Sequence, residues 1–209
     1  MQLRTFTLIE RLEPQLASFI STVSQGFFPL AGESALFVEV APGMSINMVT
    51  DTVLKTAKVV PGLMIVERSY GLLEVHSTDR DEVEKAGRAI LDFYGLTVDD
   101  KLKPRLMTND VIHDIRGYQA MLVNRIRHGQ LMLEHQTLNI VEVHPAGYAA
   151  TAANVAERAA NVRLLEMVSF GAFGRLFLGG SSGELEKAAE AIAAHLDSFT
   201  GYREEERHL

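Results

Sequence analysis

The chain has 209 residues, of which 47% are hydrophobic and 22% charged, which suits a globular protein of one large or two small domains. Its formal net charge of −7, without a conspicuous Lys or Arg cluster, argues against nucleic-acid binding. The absence of cysteine excludes disulfides, thiolate zinc ligands and cysteine nucleophiles. Because the first residues lack a signal-peptide pattern and no apolar run is long enough to span a bilayer, we expect a soluble intracellular protein without membrane contacts.

Hydrophobic periodicity predicts seven elements in each half, in the order strand, helix, strand, helix, strand, strand, helix. In the first half they are predicted at 3–9, 14–24, 35–40, 47–57, a hairpin within 61–75, and 79–94. In the second half they are predicted at 109–115, from 118 onward, 137–143, 149–160, a hairpin within 164–178, and 184–199. Asp79 is a suitable N-cap for the helix that follows it. These elements predict an α+β fold, in which mostly antiparallel sheets are covered by helices.

The two halves are copies of one pattern, displaced by 103 positions. The sequence VEVAP at 38–42 corresponds to VEVHP at 141–145, and Gly71 corresponds to Gly174. We predict that these two glycines close matching hairpin turns. The repeat divides the chain into a first domain at 1–98, a linker at 99–103, a second domain at 104–200 and a solvated, charged tail at 201–209.

No combination of side chains predicts a catalytic or metal site. The seven histidines are scattered, without HxxxH or HExxH spacing, and no GxSxG motif is present. The glycine-rich segment at 170–180 lacks the lysine of a P-loop, and a tight hairpin explains its glycines. We therefore predict no cofactor, no metal and no enzymatic activity.

A pair of opposite charges, Glu67 and Arg68, interrupts the apolar hairpin within 61–75. The sequence alone favours an exposed ion pair at the hairpin tip, which would contribute little to stability. The sequence pattern alone assigns no function to this charge pair.

The second half resembles a bacterial microcompartment shell domain in the segment PAGYAATAANVAERAANVRLLEMVSFGAFGRLFLGGSSGELEKAAEAI, at 145–192. The segment at 48–90 has the same pattern more loosely. A strand and a helix precede the pattern in both halves, which is similar to circularly permuted tandem-domain shell proteins. The segments LEPQLASFISTVSQGFFPL and MIVERSYG are similar to those of the carboxysome members with a gated pore. The resemblance implies two tandem ferredoxin-like domains.

The resemblance also implies a homotrimer that imitates a hexamer, with a pore on its threefold axis. The first pore loop would contain the gate residues Glu67, Arg68, Ser69, Tyr70 and Gly71. The second would contain Phe170, Gly171, Ala172 and Phe173. Since only the first loop has a charge pair, we expect unequal roles, with Arg68 favouring the passage of small anionic metabolites. A loop that changes which charge faces the axis would have two arrangements and act as a gate.

The resemblance assigns edge contacts between neighbouring trimers to a basic residue on the Ala-rich helix of each domain. Lys55 and Arg158 occupy that position, although either could simply be a solvated helix cation. The expected partners are other copies of this chain, including a second trimer stacked face to face, and other shell proteins. The expected location is a microcompartment shell in the bacterial cytoplasm.

Two other functions are compatible with a duplicated α+β chain. A regulatory protein would bind a small metabolite between subunits, with Glu67 and Arg68 holding a zwitterion. The third possible function is that of a small-molecule enzyme with its site at a trimer interface. The shell function predicts assembly into sheets with shell partners, whereas the regulatory function predicts saturable ligand binding.

Overall fold

Two antiparallel sheets of four strands, one in each half of the chain, organise residues 1–203, which the computed structural model describes. The first half contains β1 (Gln2–Ile9), α1 (Pro14–Val23), β2 (Ser34–Ala41), α2 (Ile46–Thr56), β3 (Val60–Glu67), β4 (Tyr70–Ser77) and α3 (Arg80–Tyr94). The second contains β5 (Arg105–Ile112), α4 (Gly117–Ile126), β6 (Thr137–His144), α5 (Tyr148–Ala159), β7 (Arg163–Val168), β8 (Gly174–Gly180) and α6 (Ser182–Asp197). The strand orders are β1-β2-β4-β3 and β5-β6-β8-β7. The predicted α+β fold and element order are confirmed.

The displacement of 103 positions is preserved in the strand pairing. Gln2 pairs with Ala41 as Arg105 pairs with His144, and a register shift follows Leu3 in β1 as it does Leu106 in β5. The prediction of a strand at 109–115 was wrong, since β5 begins and ends earlier in the chain. Ile115, which suggested a longer strand, is buried in the loop below α4.

Each sheet has one helix on one face and two on the other. α2 and α3 pack on one face of the first sheet in a core that includes Val38, Val53 and Ile90. α1 lies on the opposite face, and its Leu16 belongs to a larger core that continues into α5 and α6 of the second half. On the outer face of the second sheet, α4 covers only a small cluster that includes Val123. The halves are therefore joined through α1 and α5.

Local sequence sets the ends of α3 as predicted. The Asp79 carboxylate accepts a hydrogen bond from the Asp81 amide at 3.0 Å, which confirms the N-cap. The helix ends at Gly95, whose φ of 61° lies in the left-handed region that glycine adopts readily. None of the helices within residues 1–203 combines the length and apolar character needed to cross a lipid bilayer.

The linker and the start of the tail are packed, and the prediction that the tail is solvated from 201 onward was wrong. Leu102 is buried, and the Tyr202 amide donates to the Lys101 carbonyl oxygen at 3.1 Å. The Lys103 amide donates back to the Tyr202 carbonyl oxygen at 2.9 Å. Tyr202 also accepts a hydrogen bond from Gln2 at its hydroxyl oxygen, so this segment is tied to β1. The rest of the predicted tail, 204–209, lies outside the described residues.

Candidate functional site

The first hairpin turns at Arg68 and Ser69, because Glu67 pairs directly with Tyr70. Arg68 has a φ of 52°, in the left-handed region that side chains other than glycine adopt at a cost of about 1–2 kcal/mol. The observed turn is therefore held against a local backbone preference.

The prediction that Gly71 and Gly174 close the turns was wrong. Gly71 lies within β4 and Gly174 begins β8. A Cβ atom added to Gly71 would lie 2.2 Å from the Gly43 carbonyl oxygen, and one added to Gly174 would lie 2.4 Å from that of Ala146. Both glycines permit the close approach of the chain that follows a VEVxP segment, and they serve packing below the turn.

The charges at the first hairpin tip are loosely paired. The Arg68 Nε and Glu67 Oε1 atoms are 3.7 Å apart, and the two side chains are 92% and 46% exposed. An exposed pair of this kind contributes little to stability, so either side chain can exchange its partner at small cost.

The second loop, between β7 and β8, lies against the first. Gly171, with a φ of 92°, is placed so that a Cβ atom added to it would lie 3.4 Å from Cγ of Glu67. Ala172 is exposed, while Phe170 and Phe173 are half-buried. The resemblance implied two pore loops at matching places with unequal roles, and within one chain these loops lie close together.

A buried charge pair lies next to these loops and was missed by the sequence reasoning. Arg4 on β1 is fully buried, and its Nε donates to Oε1 of Glu39 at 2.9 Å. The other Glu39 oxygen accepts hydrogen bonds from the Thr5 hydroxyl at 3.1 Å and from the Gly147 amide at 2.9 Å. Burial raises the pKa of the Glu39 carboxyl, against the opposing effects of Arg4 and these donors. Since Gly147 belongs to the second half, the pair also joins the two domains.

Arg4 contacts residues of both domains near the loops. Its Cζ lies 3.6 Å from the centre of the Tyr70 ring, and its Nη2 lies 3.1 Å from Nε2 of His144. The His144 ring in turn packs against Phe173, with ring centres 5.7 Å apart. A buried cation therefore connects the base of the first hairpin with the second loop.

The predicted edge residues lie at equivalent places on equivalent helices. Lys55 on α2 is exposed and pairs with Asp51 at 2.7 Å, whereas Arg158 on α5 is exposed near the end of its helix. Within residues 1–203, no group of three or more His, Asp or Glu side chains is arranged to hold a metal ion.

The junction between the halves is formed by the start of α1 and one face of α5. The amides of Gln15 and Leu16 donate to the Glu157 carboxylate at 2.8 and 3.1 Å, which satisfies the exposed amides of a helix N-terminus. The Glu13 amide donates to the Asn154 side chain at 2.9 Å. Nine consecutive residues of α5, Tyr148–Ala156, are buried, because α1 and β1 of the first half cover the helix in addition to α6 and the strands of its own half.

The equivalent surfaces on α2 and α4 are exposed. α2, which corresponds to α5, buries only three residues and exposes Met48 and Leu54. α4, which corresponds to α1, exposes Leu122 as well as Tyr118, whose exposure reaches 85%. The surfaces that hold the two halves together therefore occur a second time, without a partner among residues 1–203.

Comparisons with known proteins agree with this geometry. The family described as the CsoS1D N-terminal domain matches residues 3–100. The chain is 44% identical over 201 residues to the carboxysome shell protein CcmP of Synechococcus elongatus, which covers 96% of this chain and 94% of that protein. It belongs to the family of tandem-domain carboxysome shell proteins. Another member, the carboxysome shell protein CsoS1D of Hydrogenovibrio crunogenus, is 41% identical over 201 residues, which cover 96% of this chain and 98% of that protein.

Solved structures of shell proteins have the same fold as this family member. The double-ringed trimeric shell protein MSM0271 of the RMM microcompartment has a TM-score of 0.93 and 40% identity, covering 97% of this chain and 98% of that one. The fused permuted hexameric shell protein MSM0275 has a TM-score of 0.93 and 37% identity, covering 97% and 100%. The resemblance that the sequence indicated is confirmed, and with it the tandem permuted shell-domain fold.

Proposed function

We propose that three copies of this chain close into a pseudohexameric ring, which is a building block of a microcompartment shell in the bacterial cytoplasm. The observation that carries the proposal is the contrast between α5, with nine successive buried residues, and α2, with three. Because each chain contributes two equivalent units, placing α4 of one copy on α2 of the next gives six similar junctions and leaves no open end. Relatives named as shell proteins favour this function over a metabolite-binding regulator.

The junction between chains differs chemically from the junction within a chain. At the position of Glu157, α2 has the apolar Leu54, and at the position of Gln15, α4 has Tyr118. The Gly117 amide at the start of α4 already donates to Glu134 of its own chain at 3.0 Å. A carboxylate of the same chain therefore already lies at this helix start, and Leu54 of the neighbouring copy would pack against the first turn of α4.

The ring places the three charged hairpins around its axis as the lining of a gated pore. Two like charges about 4 Å apart repel by about 4 kcal/mol at an effective dielectric constant of about 20. A ring of three Arg68 side chains is therefore stable only if Glu67 neutralises it or if the tip moves. The loose pairing of these two side chains and the unfavourable φ of Arg68 support two arrangements of the tip.

Loss of Arg68 should reduce the preference of the pore for anions. In shells assembled with Arg68→Ala, entry of a phosphorylated sugar should slow several-fold relative to a neutral sugar of similar size, because the attracting charge is lost. Glu67→Ala should instead change the fraction of open pores and so affect both solutes. Arg80→Ala, which removes an exposed arginine on α3, is the matched control. Unchanged relative entry in Arg68→Ala shells would show that this residue does not line the pore.

Lys55 and Arg158 are proposed to join neighbouring trimers. The double variant Lys55→Asp/Arg158→Asp should remain trimeric but fail to form sheets with shell partners, because attraction at each trimer edge becomes repulsion. Electron microscopy of the mixtures tests this. The variant Arg80→Asp/Lys85→Asp changes the same number of charges on α3 and should assemble normally. Normal sheets from the first double variant would mean that both residues are ordinary solvated cations.

Stacking of two trimers face to face is a further part of the proposed assembly. The loop after α1 exposes Phe27, Phe28 and Leu30, and the equivalent loop after α4 exposes Leu131 and Leu133. Six copies of such a loop in one ring would form an apolar band, and a second ring could cover it. The similarity to a double-ringed trimeric shell protein supports this arrangement.

A further inference from the structure

We propose that the buried Arg4 is a positioning residue for the gate, which holds Tyr70 in the observed conformer and connects the first pore loop with the second through His144. The inference rests on the proposed function, in which 67–71 border the pore. It adds a residue that is absent from the pore lining itself.

The Arg4 side chain is held in one position by several contacts. Its side chain is fully buried, and its guanidinium is bonded to Glu39 at 2.9 Å. Glu39 is in turn held by the Thr5 hydroxyl and by the Gly147 amide. A buried cation cannot leave such a partner without a large penalty, so the guanidinium stays in place when nearby loops move.

Tyr70, in contrast, is half-buried and adjoins the two-residue turn. Its ring covers one face of the guanidinium at 3.6 Å, which is a favourable cation–π contact. In the same conformer Arg68 has its unfavourable φ of 52°. The ring contact thus favours the observed turn, while the backbone of Arg68 opposes it. Opposing effects of similar size are what a hairpin with two populated arrangements requires.

The second loop is connected through His144. Its Nε2 lies 3.1 Å from Arg4 Nη2, within reach of a hydrogen bond from the guanidinium in the tautomer whose Nε2 accepts. The His144 ring also packs against Phe173 of the second loop. Displacement of either loop changes the surroundings of the same cation, and the two loops are therefore coupled.

The test follows the conformer populations of the first loop. Because the chain has no cysteine, Ser69→Cys provides a single attachment site for a trifluoromethyl label that is read by ¹⁹F NMR. Tyr70→Leu keeps an apolar side chain but removes the aromatic face, and should lower the ratio of the observed conformer to the alternative by roughly two- to thirtyfold. Tyr70→Phe retains the face and should restore the ratio. His144→Leu should shift the same ¹⁹F signal although it changes no residue of the first loop.

The inference would be overturned if labelled Ser69→Cys gave the same ratio of conformers alone, with Tyr70→Leu and with Tyr70→Phe. So would a Ser69→Cys signal that is insensitive to His144→Leu. A separate measurement tests the proposed function on which the inference rests. A short bis-maleimide should link the Ser69→Cys chains of one ring to each other on a denaturing gel. Absence of these links would place the loop away from the axis, whatever the ¹⁹F spectra show.

Discussion

The variant Leu54→Glu is expected to lose the trimer at protein concentrations where the unchanged chain assembles. The substitution removes an apolar side chain that is 45% exposed in the single chain and that would be covered by α4 of the next copy. It also places a second carboxylate beside Glu134, which already binds the Gly117 amide. Juxtaposed like charges at an interface cost several kcal/mol, or more than about a hundredfold in each junction's association constant.

Light scattering measures this loss directly, with a fall in mass from three chains toward the 23.1 kDa of one. The double variant Leu54→Glu/Glu134→Gln should recover much of the trimer, because the new carboxylate can then take the role that Glu157 has within the chain. Phe93→Glu, on the exposed face of α3, is the control and should stay trimeric. A Leu54→Glu variant that remains fully trimeric would contradict the proposed junction.

Removal of Glu39 is expected to destabilise the fold by about 3–5 kcal/mol, because it leaves Arg4 buried without its counter-charge. The Gly147 amide and the Thr5 hydroxyl would lose an acceptor in the same step. Urea unfolding of Glu39→Ala and of the unchanged chain, at equal protein concentration, gives the difference.

Glu84→Ala is the matched control, because Glu84 also pairs with arginines, at 2.9 and 3.4 Å, but on the surface of α3. It should change the free energy of unfolding by at most about 1 kcal/mol. The double variant Arg4→Met/Glu39→Leu should be more stable than Glu39→Ala, since no uncompensated charge remains. If Glu39→Ala and Glu84→Ala were equally stable, the buried pair would not hold the domains as inferred.

Much of the fold could be predicted because the same pattern of strands and helices occurs in both halves of the sequence. The helix predicted at 79–94 and the strands at 35–40 and 137–143 lie within one residue or so of the observed elements. The strand predicted at 109–115 was displaced because Ile115 is apolar for a different reason, its burial below α4. The segment at 99–103 was predicted only as a linker, whereas its Leu102 packs against β1 and the start of the predicted tail.

The site was predictable in position but not in detail. The apolar strands on both sides of Glu67 and Arg68 located the hairpin, but the turn depends on the pairing of Glu67 with Tyr70, which the residues themselves do not specify. The glycine at 71 suggested a turn, whereas its role comes from a contact with Gly43, almost thirty residues away.

The Arg4 cluster was beyond the reach of local patterns. Its contacts join β1 to the end of β6, and Arg4 and His144 are separated by 140 positions. One signal was present in the sequence: Arg4 stands among apolar and β-branched residues of a strand, and an acid lies at the centre of each VEV segment. An unpaired cation would be too costly in such a strand, so a buried acid partner could have been sought.

A cryo-electron microscopy structure of the purified full chain tests the central proposal most directly. We expect a threefold ring in which the start of α4 lies on α2 of the neighbouring copy, near Leu54, and in which Glu67 and Arg68 of all three chains surround the axis. A monomer or an open dimer at micromolar concentration would contradict the ring. A closed ring with residues 67 and 68 on its outer rim would contradict the pore.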